Sequence, residues 1–149
     1  MRQEQLIKEL KELIHLDIDA VNAYNQTIDE IEREDIKLKI IAFRDEHKNH
    51  IDVLSQELVS LGEKAPAGKD TKGFFLEGFT KIRSMTGTKG ALEAMKINEK
   101  LTNKKYEEAV KKFKGTAQLE LIEKFREDER KHLEYINQGL HYYEEHKAA

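Results

Sequence analysis

The sequence predicts an all-α protein, a four-helix bundle made of two helical hairpins joined by a long crossover, and three observations predict it. Charged residues make up 37% of the chain and hydrophobic residues 38%, with one proline and eight glycines, a balance that suits long amphipathic helices better than strands. Apolar residues recur every three or four positions in four separate stretches, the period of a core-facing helix. The segment from Phe43 through His47 and His50 to Asp52 aligns with that from Phe125 through Glu129 and His132 to Glu134 at a constant offset of 82, so the chain is written as two related halves. At 149 residues it is expected to be a single domain with one sizeable core.

The first helix is expected over 3–33, with Leu6, Leu10, Leu13, Val21, Tyr24, Ile28 and Ile31 on its apolar face. Glu34-Asp35 is a polar break with a plausible N-cap, and Ile36, Ile40, Phe43, Ile51, Leu54, Leu58 and Leu61 then mark a second helix over 35–62, stopped near Gly62. A connection that short makes the two antiparallel neighbours. The stretch holding Ala65-Pro66-Ala67-Gly68 reads as a loop. Phe74, Phe75, Phe79, Ile82 and Met85 suggest a short helix over 73–85 that caps the bundle or packs on a subunit partner, and Gly87-Thr88-Lys89-Gly90 breaks the pattern again. A third helix is expected over 91–114 (Leu92, Met95, Tyr106, Val110, Phe113), Gly115 stops it, and a fourth follows over 116–146 (Leu119, Ile122, Phe125, Leu133, Ile136, Leu140, Tyr143). The long span between helices two and three makes those two parallel.

Six polar residues interrupt these stripes. Asp17 lies on the first, His47 and His50 on the second, Glu99 on the third, and Glu129 and His132, three apart and on one face, on the fourth. The offset of 82 relates Asp17 to Glu99, Tyr24 to Tyr106, His47 to Glu129 and His50 to His132. Approximate two-fold packing of the halves brings the six together in the interior, where an unpaired carboxylate costs several kcal/mol. Each alone reads as a satisfied core group; six of ligand type at repeat-related positions read as metal ligands. Tyr24 and Tyr106 are either donors to Asp17 and Glu99 or core aromatics. Asp45, Glu46, Glu127 and Asp128 are assigned to solvated faces, with Glu46 close enough to His50 to swing in as a ligand, and His15, His141 and His146 are assigned to the surface.

Composition narrows the chemistry. The formal net charge is −3 and basic residues are interleaved with acidic ones, so no face suggests nucleic-acid binding. No apolar run reaches the roughly 20 residues of a membrane span. With no signal-like apolar segment after Met1, the expected location is the cytoplasm. There is no cysteine, so any metal must use histidine and carboxylate ligands.

From Leu6 to Tyr143 the chain resembles the ferritin-like di-iron carboxylate superfamily of bacterioferritins, ferritins and rubrerythrins. The resemblance rests on Glu129-x-x-His132, the carboxylate-x6-Tyr pairs Asp17/Tyr24 and Glu99/Tyr106, and the repeated hairpin. It implies two iron ions, with manganese or zinc as substitutes, and oxidation of Fe(II) by dioxygen or peroxide in iron handling or oxidative-stress defence. It also implies Glu129 as a bridging ligand at the reaction centre with Tyr24 and Tyr106 beside it, Asp17 and Glu99 as terminal ligands, and His50 and His132 on one ion each. The chain departs from the family at His47, where a bridging glutamate is expected, and at the shorter Asp17. Neither a rubredoxin-type segment nor haem is expected, since cysteine is absent and Lys48, not methionine, follows His47. A homo-oligomer, a dimer in preference to a cage, is the expected assembly. A second reading stays open: a non-enzymatic bundle, holding zinc or carrying a degenerate site and acting as a stress-related interaction protein.

Overall fold

The computed structural model describes residues 1–66 and 87–146, and among them the chain forms four α-helices and no strand. They are α1 (Gln3–Ile28), α2 (Glu34–Ser60), α3 (Gly87–Lys112) and α4 (Leu119–Glu145). Helices α1 and α2 pack as one hairpin and α3 and α4 as the other, while α1 also lies along α3. The all-α, four-helix architecture expected from the periodicity is the one observed. The short helix expected over 73–85, with Phe74, Phe75, Phe79, Ile82 and Met85, lies outside the described residues.

The register between the hairpins follows from side chains that meet across them. Along α1 and α3, Glu9 meets Lys112, Tyr24 meets Glu99, and Thr27 meets Met95, so these helices are antiparallel. Along α2 and α4, His132 meets Glu46, His50 meets Asp128, and Gln118 meets Glu57, again antiparallel. Because α1 opposes both α2 and α3, the latter two run parallel, as a long connection requires.

Helix ends differ from the periodicity where tertiary contacts intervene. Helix α1 stops at Ile28 and not near 33. Thr27 turns its hydroxyl back to the Tyr24 carbonyl at 3.0 Å, and the buried Thr88 hydroxyl accepts the Glu32 and Arg33 amides at 2.8 and 3.4 Å, so a residue of the other hairpin holds this turn. Correspondingly 87–90, expected as a break, is helical. Helix α4 begins at Leu119 and not at 116, because Thr116 is spent on a turn in which its amide and hydroxyl both bond the Phe113 carbonyl. Helix α2 ends in a paired closure, Glu63 amide to Leu58 carbonyl and Gly62 amide to Val59 carbonyl, each at 3.0 Å, with Gly62 at φ 87°.

Gly115 has φ 82° and open space where a Cβ would stand, so a side chain there meets backbone strain and no clash. Gly115→Ala is expected to lower stability by about 1–2 kcal/mol, read from urea unfolding; an unchanged midpoint would show that the turn tolerates an L side chain.

The interior is layered. One apolar cluster contains Leu10, Ile14, Leu54, Leu58, Phe113, Ile122 and Phe125. The other contains Ile28, Ile31, Ile36, Ile40, Leu92, Met95 and Ile136. Each such side chain contributes about 1.5–3 kcal/mol on burial. Between the clusters every helix presents polar side chains to the centre.

Candidate metal centre

Asp17 from α1, His47 and His50 from α2, Glu99 from α3, and Glu129 and His132 from α4 meet in this central layer, none more than 1% exposed. The helical period puts them there, because each occupies a position where its stripe otherwise carries an aliphatic or aromatic residue. They form two overlapping groups, Asp17, His47, His50 and Glu129 in one and His47, Glu99, Glu129 and His132 in the other. Within each group one donor atom per residue lies within 4.8 Å of the rest, so these buried acids and imidazoles can hold a metal ion.

In the first group the Asp17 Oδ1 atom lies 2.7 Å from His47 Nδ1 and 3.1 Å from His50 Nδ1, and Glu129 Oε1 lies 3.3 and 3.5 Å from the same two nitrogens. In the second, Glu99 Oε1 lies 3.1 Å from His47 Nε2 and 3.4 Å from His132 Nδ1, and Glu129 Oε2 lies 3.5 Å from His132 Nδ1. Two of these donor atoms, Glu129 Oε1 and His132 Nδ1, are buried without any hydrogen-bond partner. Orphaned polar atoms in a closed interior are costly unless something else engages them. A cation fits that requirement, since both atoms are good ligands and both face the shared space.

A second tier of residues holds the first. The Tyr24 phenol donates to Glu99 and the Tyr106 phenol to Asp17. Each tyrosine thus serves the carboxylate of the opposite hairpin and not the one on its own helix. The reason is geometric: seven helical residues span about 10 Å, out of reach, whereas the antiparallel neighbour brings the other carboxylate alongside. The same crossing recurs outward. His50 Nε2 meets Asp128 Oδ2 at 2.9 Å and His132 Nε2 meets Glu46 Oε2 at 2.5 Å. Phe125 stacks on His50 and Phe43 on His132, with ring centroids 4.0 and 4.3 Å apart. The offset of 82 relates every member of these pairs to its counterpart, so the two-fold written in the sequence is present in the packing.

The repeat does not hold at every position of this layer. His47 stands where the other half has Glu129, and Ala20 stands where it has Thr102, whose hydroxyl reaches Glu99 Oε2 at 2.9 Å and Glu129 Oε2 at 3.1 Å.

Charge in this layer is balanced internally. Among the described residues no lysine or arginine pairs with Asp17, Glu99 or Glu129; their ionic partners are imidazoles. Burial opposes charge on His47, yet the field of Glu129 and hydrogen bonds to Asp17 and Glu99 outweigh it and raise the imidazole to about 10. Burial likewise opposes charge on His50, but Asp17 and Asp128 lift it to about 9. His132 is raised well above its ordinary value, burial being overcome by Glu99, Glu129 and Glu46. Asp17 and Glu99 are held low by these imidazoles in spite of burial. Burial lifts the Glu129 carboxyl to about 7, against the pull of His47. Burial and the neighbouring carboxylates raise both phenols well above the usual range, which keeps Tyr24 and Tyr106 protonated as donors. Without metal the three imidazoles therefore carry the protons that cations would displace.

All six residues singled out in the sequence come together. Asp128, assigned there to a solvated face, is instead half-buried against His50, and Glu46 engages His132 on the opposite helix and not His50 on its own. Their signal was present, an acidic residue four before the histidine in each half, but a helical wheel places it outside the apolar stripe. Thr102 and Asn103, which donates to the Glu99 and Glu129 carbonyls at 2.7 and 2.9 Å, carried no signal because the repeat has no counterpart for them. His141 and His146 are exposed and His15 is half-buried. No helix of the described residues is long and apolar enough to cross a membrane.

The model of a family described as a domain of unknown function, DUF2383, matches residues 5–112, from α1 to the end of α3. No curated protein and no solved structure matches the chain.

Proposed function

We propose a function from the site itself, because the chain belongs to the DUF2383 family, whose description assigns none: the bundle holds a dinuclear metal centre, best suited to iron, that oxidises Fe(II). One observation carries the reading. Two overlapping four-residue ligand groups lie in a closed interior, and two of their donor atoms, Glu129 Oε1 and His132 Nδ1, make no hydrogen bond there and meet only the other members of the cluster at 3.3–3.5 Å. Imidazole with carboxylate suits iron, manganese and zinc, and the absence of cysteine removes sulfur-preferring metals from the comparison. The ligand types and the two-fold hairpin arrangement resemble the ferritin-like di-iron proteins.

Each part of the chain then has a task. Asp17 with His50, and Glu99 with His132, form opposite ends of the cluster, while His47 and Glu129 belong to both ends. Asp128 and Glu46 hold the outer nitrogens of His50 and His132, which fixes the rings with Nδ1 inward, and the tyrosines lock Asp17 and Glu99 in place. Phe43 and Phe125 cover the rings and keep water out. Bound Fe(II) would supply one electron per ion to dioxygen or peroxide, and the protein's share is a dry pocket with ligands preset in position.

Metal analysis of chain purified without chelator, followed by anaerobic Fe(II) titration and oxygen readmission, tests this. Two irons per chain, one for each ligand group, should bind and oxidise with an iron-dependent absorbance. One tightly held zinc without redox change would favour the structural-metal reading, and no metal at all would leave a helical bundle whose role is interaction.

A further inference from the structure

We propose that His47 is shared by the two ends of the cluster through both of its ring nitrogens, so that an imidazole spans the pair of cations when both are bound. This rests on the dinuclear reading of the same cluster and concerns how its two halves are joined.

The three buried histidines are of two kinds. His50 and His132 each turn Nδ1 toward the carboxylates and Nε2 outward to Asp128 or Glu46, so each offers one nitrogen to a metal. His47 has both nitrogens facing inward. Its Nδ1 lies 2.7 Å from Asp17 and 3.3 Å from Glu129, whereas its Nε2 lies 3.1 Å from Glu99. Asp17 and Glu99 belong to different ligand groups, and His47 belongs to both. The ring therefore presents one nitrogen to each group.

Its repeat counterpart behaves in the same way with oxygens. Glu129 directs Oε1 toward His47 and His50 and Oε2 toward His132. Two spanning side chains, one from each half, thus face each other, a carboxylate from α4 and an imidazole from α2.

Charge favours this role. To bind through both nitrogens the ring must give up its remaining N–H proton, which leaves to solvent as the second ion enters and a metal–nitrogen bond replaces the N–H bond. The resulting imidazolate joins Asp17, Glu99 and Glu129 as a fourth anionic ligand, and four anions neutralise two divalent cations. With His47 neutral the coordinating groups alone would set three anions against two divalent cations, and Asp128 and Glu46 would offset the remainder only from outside, through His50 and His132. The substitution at this position then keeps both the span and the charge of the carboxylate it replaces.

The consequence is a spacing. Two metal–nitrogen bonds of about 2.0–2.1 Å on opposite sides of the ring hold the ions about 6 Å apart, against about 3.5–4 Å in ordinary two-metal sites. The full-length chain, stripped with chelator and loaded with Zn(II), is counted by mass spectrometry and crystallised, and the ions are located by anomalous scattering at the zinc edge. Two ions about 6 Å apart, one on each nitrogen of His47, are expected, shortening by about 2 Å in His47→Glu. Two ions with His47 bound through one nitrogen or none would overturn the shared role and leave the dinuclear reading standing. One ion or none per chain would overturn both.

Discussion

The metal-free protein is expected to lose on the order of several kcal/mol of stability as pH rises from 7 to 10, while the metal-loaded protein stays level over the same range. His47 and His50 are raised in the fold to about 10 and about 9, above the ordinary 6.5 they return to on unfolding. Between those limits the native state binds more protons than the unfolded chain, so stability falls with rising pH. Their contribution is complete below 6.5 and lost on passing through 9 to 10. Glu129, raised from 4.5 to about 7, acts in the same direction at lower pH, because the fold prefers its neutral form. Asp17 and Glu99, held low, act oppositely and only in acid, where their contribution is lost as they take up protons. Bound cations replace the imidazole protons, so the loaded form weakens toward acid, where protons compete for the ring nitrogens. Urea unfolding of chelator-treated and metal-loaded samples, carried from acid through pH 7 to 10, measures both limbs. A metal-free protein whose stability is level from pH 7 to 10 would mean that the imidazoles are neutral in the fold and that something else balances the carboxylates.

Asp17→Asn should be the most damaging conservative change in the cluster. The side chain keeps its size, but Asp17 Oδ1 faces both His47 and His50, and Oδ2 receives the Tyr106 hydroxyl. Loss of that charge leaves two buried imidazoles without their nearest anion on the α1 side. Breaking a buried ion pair on one side costs about 3–5 kcal/mol, a large share of a domain's total of about 5–15 kcal/mol. The metal-free variant is expected to unfold at markedly lower urea at pH 7. Its metal content should fall from two ions to one, because His47, Glu99, Glu129 and His132 remain as a complete group. Retention of two ions at undiminished affinity would remove Asp17 from the ligand set, and unchanged metal-free stability would remove its charge from the balance.

The sequence alone determined the four amphipathic stripes, the pairing of the halves and the identity of the six central residues. Those follow from periodicity and from the offset of 82, which are properties of the chain read locally. Asp17 and Glu99, Glu129 and His47, and His50 and His132 were legible because each breaks an apolar stripe at a position its counterpart also breaks. Only the tertiary structure decided which partner each group meets. Tyr24 reaches Glu99, Tyr106 reaches Asp17, His132 reaches Glu46 and Thr88 holds the α1–α2 turn, because the antiparallel register of one hairpin on the other sets distances that no spacing along a single helix contains. The orientation of His47 belongs to the same class. A stripe position says that its imidazole points inward, and only the carboxylates arriving from α1, α3 and α4 fix the direction in which each nitrogen looks.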